Sequence, residues 1–286
     1  MSAGTATETD VFEHIPASAM RQIVRESRDR STGRGFAVSD LPWKTMRPEA
    51  LTDQDRSVVR FITFIEDHIP GYLTYFLTAF PVVGDLPDSR VAFNREYFRF
   101  LVGWADDEER HASSLTEYQV AAELATEDEL LAQLAAEGKK PFVLPYSHPL
   151  EAFVYTLIQE KATQLFYQRF AATVKEPFLA HLLNLLARDE ARHFAFYSSV
   201  VSQTLRTAPR SSLTQMRDVV AGFRMPLADT LQGYWRWSLQ VADVASYDHT
   251  EAYEALTRLV RGFADTRGMP EAEDLLSLVD GIRRAT

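Results

Sequence analysis

From Pro48 onward, apolar side chains recur at alternating spacings of three and four, the rhythm of helices that bury one face. Strand-like alternation is scarce, and Phe142-Val143-Leu144 is too short to found a sheet. Gly and Pro punctuate the helical runs at Pro81-Val82-Val83-Gly84-Asp85, from Gly138-Lys139-Lys140-Pro141 to Pro149, near Lys175-Glu176-Pro177, near Pro209, and at Gly268-Met269-Pro270. The pattern predicts an all-α chain folded as one domain. An N-terminal arm over 1–45, rich in Ser, Thr, Gly and Arg, is expected to carry a helix around Val11 to Asp29. A helical core spans 50–205, and further helices fill 209–286.

Within the core, four apolar stripes are interrupted by residues that can bind metal. One runs Leu101, Trp104, Glu108, His111, Leu115, Tyr118, and a second runs Leu183, Leu186, Glu190, His193, Tyr197, Val200 in the identical rhythm. Each contains a quartet, Glu108-Glu109-Arg110-His111 or Glu190-Ala191-Arg192-His193, whose Glu and His lie three residues apart and so share a helical face. The other two stripes, Val59, Ile62, Glu66, Ile69, Leu73, Phe76 and Phe153, Thr156, Glu160, Thr163, Tyr167, Phe170, each carry a single central glutamate. Shifting the first of these by one residue tests Asp67 and gives a mostly polar face, so Glu66 is the inward carboxylate.

Ionised carboxylates in an apolar interior cost several kcal/mol each, and four facing one another repel. Two divalent cations bring four positive charges against them, which makes the site close to neutral. A carboxylate and imidazole donor set suits iron, with manganese as an alternative, and does not suit a thiolate-type structural zinc. Two Glu-x-x-His helices and two single-Glu helices are the ligand plan of ferritin-like dimetal bundles. The predicted fold is therefore a ferritin-like di-iron four-helix bundle with additional flanking helices, with Glu66, Glu108, His111, Glu160, Glu190 and His193 as ligands. Asp189 is expected to orient His111, since a ligating imidazole passes its other N–H to a carboxylate or carbonyl. Arg110 and Arg192 are read as structural partners of such carboxylates. Pro70, inside the first ligand helix, predicts a local kink, because it deprives the Glu66 carbonyl of its helical donor.

The cysteine count is zero, which removes disulfides, cysteine-ligated iron–sulfur clusters and thiol nucleophiles together. Formal net charge is −10, which argues against a nucleic-acid partner. No run of about 20 apolar residues is present and residues 1–9 are polar, so a cytoplasmic protein without membrane insertion is expected. Five arginines, Arg21, Arg25, Arg28, Arg30 and Arg34, crowd the arm, either as a solvated face or as a docking patch for an acidic partner. His14, His68, His148, His181 and His249 fall off the stripes or near breaks and are assigned to surface or structural roles.

Four segments carry a resemblance: Glu66-Asp67-His68-Ile69-Pro70-Gly71-Tyr72, Trp104-Ala105-Asp106-Asp107-Glu108-Glu109-Arg110-His111, Gln159-Glu160-Lys161-Ala162-Thr163 and Asp189-Glu190-Ala191-Arg192-His193. In these residues and their order the chain resembles the soluble acyl-carrier-protein desaturases, the di-iron enzymes typified by plant stearoyl desaturase. The resemblance spans about Val59 to Val200 and implies the same six ligands that the stripes select. It further implies that Thr163 stands beside the oxygen-binding face. Trp43 in Leu41-Pro42-Trp43-Lys44 either relays electrons through Asp189 and His111 or is a packing residue. The arm differs from the plant arms, and no transit peptide is recognisable.

The activity implied is O2-dependent removal of two hydrogens from an acyl chain on an acyl carrier protein, by a homodimer fed by a ferredoxin or similar donor. External electrons are required, since the chain has neither cysteine clusters nor a Gly-rich dinucleotide fingerprint. Trp104, Tyr167, Phe170 and Tyr197 either line an apolar substrate channel or are ordinary bundle packing. The alternative chemistry on the same metals is oxygenation, by a hydroxylase or N-oxygenase acting on a carrier-bound or free metabolite. An iron-handling bundle, a radical-storing subunit and a metal-free scaffold are the readings outside that class.

Overall fold

The computed structural model describes residues 15–146, 148–231, 234–245, 247, 251–263 and 267–285. Described residues form helices and no strand. Helix α1 is Ala17–Ser31, followed by three short 3-10 turns at Val38–Asp40, Trp43–Thr45 and Pro48–Ala50. The core helices are α2 (Asp53–Glu66), α3 (Ile69–Ala79), α4 (Asp88–Ala121), α5 (Glu127–Gly138), α6 (Pro149–Thr173) and α7 (Pro177–Thr207). The C-terminal part contributes α8 (Pro209–Gly222), α9 (Tyr234–Ala245), α10 (Ala252–Gly262) and α11 (Pro270–Ala285).

Helices α2, α4, α6 and α7 make the four-helix bundle, with α6 and α7 the most closely packed pair. Local chemistry sets their starts. Thr52 and Asp55 close a capping box on α2, and His148 and Glu151 close one on α6. The buried Glu176 accepts the Phe178 and Leu179 N–H groups at the head of α7, as well as the Arg47 N–H and the Tyr118 hydroxyl. Helix α6 is apolar on almost every side because neighbours surround it: α7 along its length, with α8, α9 and α10 behind. The arm is no loose tail, since α1 buries Met20, Ile23 and Val24 against α4 and α7. The N-terminal part of its expected helix, together with His14 and His249, lies outside the described residues.

The first ligand helix differs from the expected kink. It stops at Glu66, turns through Asp67 and His68, and restarts as α3 at Ile69. Pro70 thus lies in the first turn of a new helix, where a missing N–H costs nothing. The Tyr72 hydroxyl donates to the Ile65 carbonyl at 3.1 Å, which also accepts the His68 N–H at 3.3 Å across the break. Gly71 is required by close approach: a Cβ there would sit 2.5 Å from His68 Nε2.

Buried apolar residues fall into two clusters on either side of the ligand layer. One gathers Ile69, Phe76, Leu101, Trp104, Phe153, Phe196 and Tyr197, and the other Val59, Ile62, Leu115, Phe166, Phe170, Leu183 and Leu186. Among the described residues no helix is long and apolar enough to cross a membrane.

Candidate metal centre

Four helices each deliver their polar interruption to one level of the bundle. Helix α4 brings Glu108 and His111, α7 brings Glu190 and His193, α6 brings Glu160, and Glu66 is the last residue of α2. All six are buried, while Asp67 lies half-buried to the side. They form two overlapping tetrads, Glu66-Glu108-His111-Glu190 and Glu108-Glu160-Glu190-His193, with the donor atoms of each within 4.8 Å of one another. Glu108 and Glu190 belong to both tetrads, Glu66 and Glu160 to one each. His111 Nδ1 lies 3.5 Å from Glu66 Oε2 and 3.5 Å from Glu190 Oε1. His193 Nδ1 lies 3.0 Å from Glu108 Oε1 and 3.4 Å from Glu160 Oε2.

Behind the donors the two quartets exchange aspartates. His111 Nε2, on α4, faces Asp189 Oδ2 of α7 at 3.4 Å, as expected. His193 Nε2, on α7, faces Asp107 Oδ2 of α4 at 3.2 Å, which completes a reciprocal pair. Each Nε2–H is thereby committed to a carboxylate, which leaves the Nδ1 lone pair for a cation. Asp107 escaped the sequence reading, although the signal was there: an Asp precedes the Glu in both Asp107-Glu108-Glu109-Arg110-His111 and Asp189-Glu190-Ala191-Arg192-His193. Arg110 pairs with Asp106, Asp107 and Asp189, and Arg192 with Asp189 at 2.5 Å and Asp107 at 3.5 Å, so both arginines serve the aspartates.

The donor set fits two divalent cations on a direct observation. His111 Nδ1, His193 Nδ1, Glu160 Oε2 and Glu190 Oε2 are buried without a hydrogen-bond partner. An unpartnered buried polar atom costs about 1–3 kcal/mol, so four at one level are a standing demand for positive charge. Titration carries the same imprint. Burial and the neighbouring Glu108 and Glu160 charges push Glu190 well above the usual carboxylate range, and burial with Glu66 raises Glu108. Burial works against a charge on either imidazole, yet Asp189 and the negative charge of the nearby Glu66 and Glu108 carboxylates lift His111 to about 10, and Glu160 and Asp107 lift His193 well above its ordinary value.

A pH dependence follows for the metal-free protein. A folded pKa above the unfolded one stabilises fully below the unfolded value, and that contribution is lost as pH rises through the folded value. Glu108 and Glu190 depart upward from 4.5, and His111 from 6.5 to about 10. The metal-free protein is therefore expected to lose stability progressively from the weakly acidic range, with the His111 share disappearing near pH 10. Urea midpoints in the presence of a chelator at pH 5, 7 and 9 check this; a midpoint that rises with pH refutes it.

The aromatic residues around the centre divide. Trp104 donates its indole N–H to Glu160 Oε1 at 3.2 Å, and the Tyr167 hydroxyl donates to Glu66 Oε1. Tyr197 shares a hydroxyl contact of 3.1 Å with Tyr97, and Phe170 is buried in the cluster around Leu183. An apolar cavity of about 420 Å³ lies between α2, α6, α9 and the 223–228 segment; none of the six candidate ligands lines it, and Tyr167, whose hydroxyl reaches Glu66, links it to the centre. Ile62, Ile65, Thr163, Phe166 and Tyr167 are among its lining residues. Of the aromatics read as channel candidates, Tyr167 alone lines it. Trp104, Phe170 and Tyr197 are held elsewhere by core packing, and Trp104 also by its bond to Glu160. The cavity was not legible in the sequence, because α9 and the 223–228 segment, which close it, follow the ligand helices without any metal-binding signal.

Trp43 is half-buried beside the head of α7. Its indole N–H donates to the Val38 carbonyl at 3.0 Å and its ring packs on Phe178 at 4.5 Å. Phe178 lies eleven residues before Asp189 on α7, roughly 16 Å along the helix axis. The described ion-pair and hydrogen-bond partners of Asp189 are His111, Arg110 and Arg192, and Trp43 is not among them.

A four-helix bundle whose helices present two Glu-x-x-His quartets and two single glutamates to one buried level belongs to the ferritin-like dimetal-carboxylate class. Within that class, the family model described as fatty acid desaturase matches residues 43–262, and the chain belongs to that family. Acyl-[acyl-carrier-protein] desaturase 6, chloroplastic, of Oryza sativa subsp. japonica is 30% identical over 176 residues, 57% of this chain and 41% of the relative. Palmitoyl-[acyl-carrier-protein] 4-desaturase 2, chloroplastic, of Ophrys sphegodes is 23% identical over 227 residues, 77% of this chain and 54% of the relative. The chain thus spans about half the length of the curated relatives it matches. Among solved structures, a candidate acyl-ACP desaturase, DesA2 of Mycobacterium tuberculosis H37Rv, shares the fold with a TM-score of 0.63 at 19% identity, over 91% of this chain and 98% of that one.

Proposed function

We propose that the chain is a di-iron, O2-dependent desaturase that introduces a double bond into an acyl chain carried on an acyl carrier protein. The observation that carries this reading is a buried six-donor cluster with four unpartnered donor atoms, set against an apolar cavity, in a chain of the fatty acid desaturase family. Glu66, Glu108, His111 and Glu190 would hold one iron and Glu108, Glu160, Glu190 and His193 the other. Bound there, the two irons supply the redox chemistry that couples O2 reduction to the loss of two hydrogens from an unactivated chain.

The protein's own part is binding, aim and exclusion of water. The cavity walls are mostly hydrocarbon and accept an alkyl chain without unpaired polar groups, while Thr163 and Tyr167 are the polar side chains at its metal end. Asp107 and Asp189 keep each imidazole in the tautomer that presents Nδ1 inward. Arg224, paired with Asp229 at 2.5 Å, is the lining residue with a cationic head; the arginines of α1 do not line this cavity. Arg28 of α1 and Arg99 of α4 line a separate surface pocket that includes Asp107 and His193. That side suits an acidic one-electron donor such as a ferredoxin.

Anaerobic iron loading, addition of O2 and reductant, and a panel of acyl carrier proteins bearing different chains, read by intact mass, tests the proposal. Loss of two hydrogens from at least one acyl group is expected. A gain of one oxygen atom instead replaces desaturation by oxygenation, and an unchanged panel removes the acyl-carrier reading.

A further inference from the structure

The apolar cavity opens to solvent along one edge. The exposed residues in its lining are Arg224, Ser238, Leu239 and Ala242, all from α9 or the 223–228 segment, so the mouth lies between these two. Helix α9 carries two apolar faces. The inner one sets Trp237 and Tyr234 against Phe61 of α2, with Gln54 and Ser57 of α2 bonded to Asp243 and Gln240. The outer one places Trp235, Leu239 and Ala242 at i, i+4 and i+7, a single stripe on the side of the mouth. Trp235 and Leu239 are each 63% exposed, and Leu239 also lines the cavity, so stripe and cavity form one continuous apolar surface. An exposed apolar row of this kind marks a contact surface.

The charges on the rim indicate what covers it. Arg224 is neutralised by Asp229, and Asp243 accepts from Gln54. Arg236 lies over the Trp235 ring, 5.2 Å from its centroid, and among the described residues no carboxylate pairs with it. Trp and Arg side by side are the residues that carry most binding energy at protein interfaces. A membrane is the poorer fit, since one free cation faces the headgroups on a chain of net charge −10. A second copy would bring the same unpaired cation to the contact, whereas an acidic carrier brings its counter-charge.

Resting on the acyl-carrier reading above, we infer that the outer face of α9 is the surface on which the carrier docks, with Trp235 and Leu239 as apolar anchors and Arg236 as the counter-charge. A chain that enters while tethered leaves its carrier at the mouth, and this stripe is the rim of the mouth. Arg28 and Arg99 line a different pocket and take no part.

Fluorescence anisotropy of a labelled acyl carrier protein loaded with a palmitoyl or an octanoyl chain, titrated with the full chain, reads docking without turnover. Trp235→Ser is expected to weaken binding about 10–100-fold, the range of a lost interface anchor. Arg236→Glu should weaken it in the same direction, and Arg28→Gln combined with Arg99→Gln should leave it unchanged. A Trp235→Ser protein that melts like wild type and binds the carrier as tightly overturns the inference; where its melting temperature falls, wild-type binding by Arg236→Glu does so instead. A loss confined to the Arg28 and Arg99 variant also overturns it. So does a change in oligomeric state or in vesicle binding on Trp235→Ser with carrier affinity intact, which would give the stripe to a second copy or to a membrane. If the wild-type protein binds neither loaded carrier, the acyl-carrier reading itself fails, and this docking surface with it.

Discussion

Glu190→Gln is expected to abolish metal-dependent chemistry and, at the same time, to stabilise the metal-free protein by about 1–3 kcal/mol. Glu190 is 1% exposed, belongs to both tetrads, and has one oxygen without a hydrogen-bond partner. Without cations, ionising it means holding a desolvated charge beside Glu108 and Glu160, and burial pushes its pKa well up for that reason. The amide keeps the shape and removes the charge, so the metal-free fold gains. With cations held as proposed the sign reverses, because the residue that belongs to both tetrads would lose its negative charge. The wild-type protein should therefore gain thermal stability on adding Fe2+ or Co2+ anaerobically, and the variant should gain little. A variant that is less stable than wild type under chelation, yet still stabilised fully by metal, would show that Glu190 is a structural acid and not a bridge.

Asp189→Asn is expected to cost about 3–5 kcal/mol of stability and to weaken metal binding about 10–100-fold. Its carboxylate is almost wholly buried and serves Arg192, Arg110 and His111 at once. The amide leaves Arg110 to Asp106 and Asp107 and Arg192 to Asp107 alone, and turns a donor toward one of them, so the penalty is that of a buried ion-pair network losing its most buried acid. Asp107→Asn should reproduce the effect on metal affinity with a smaller effect on stability, because the Asp107 side chain is 15% exposed and water can replace part of what it gives Arg110 and Arg192. Chemical denaturation and competitive metal titration of both variants measure the two quantities separately. Equal stability losses would mean that the exchange of aspartates is symmetric in energy as well as in connectivity.

The ligand level was legible because it is written as polar residues at core positions. Glu66, Glu108, His111, Glu160, Glu190 and His193 occupy sites whose stripe neighbours are apolar, and a helix has only one place to send them. The helix break at Asp67-His68 was less legible, since the stripe passes from Ile62 through Glu66 to Ile69 and Phe76 without a change of phase. Pro70 disturbs only the hydrogen bonds, and where the chain relaxes that disturbance is a tertiary matter. The roles of Tyr167 and Trp104 were invisible for a further reason. Both sit correctly on their stripes, but which buried oxygen an aromatic donor reaches depends on the rotation of neighbouring helices. The repeated Asp before Glu was visible and went unread, because adjacent residues on a helix point to different faces and the partner of Asp107 lies on another helix.

The ligand level cuts the oily interior in half, and that has a consequence for how the chain comes apart. Ile62, Leu115, Phe166 and Leu186 lie on one side, Ile69, Trp104, Phe153 and Phe196 on the other, with carboxylates and imidazoles between. Phe142 and Tyr247 are partly buried residues that touch both clusters, so hydrocarbon contact across the layer is sparse and the proposed cations would add much of the coupling between the halves. Deprived of them, the molecule should exchange its amide protons in two blocks of unequal protection, one per half. Loading with metal should fuse the blocks into one.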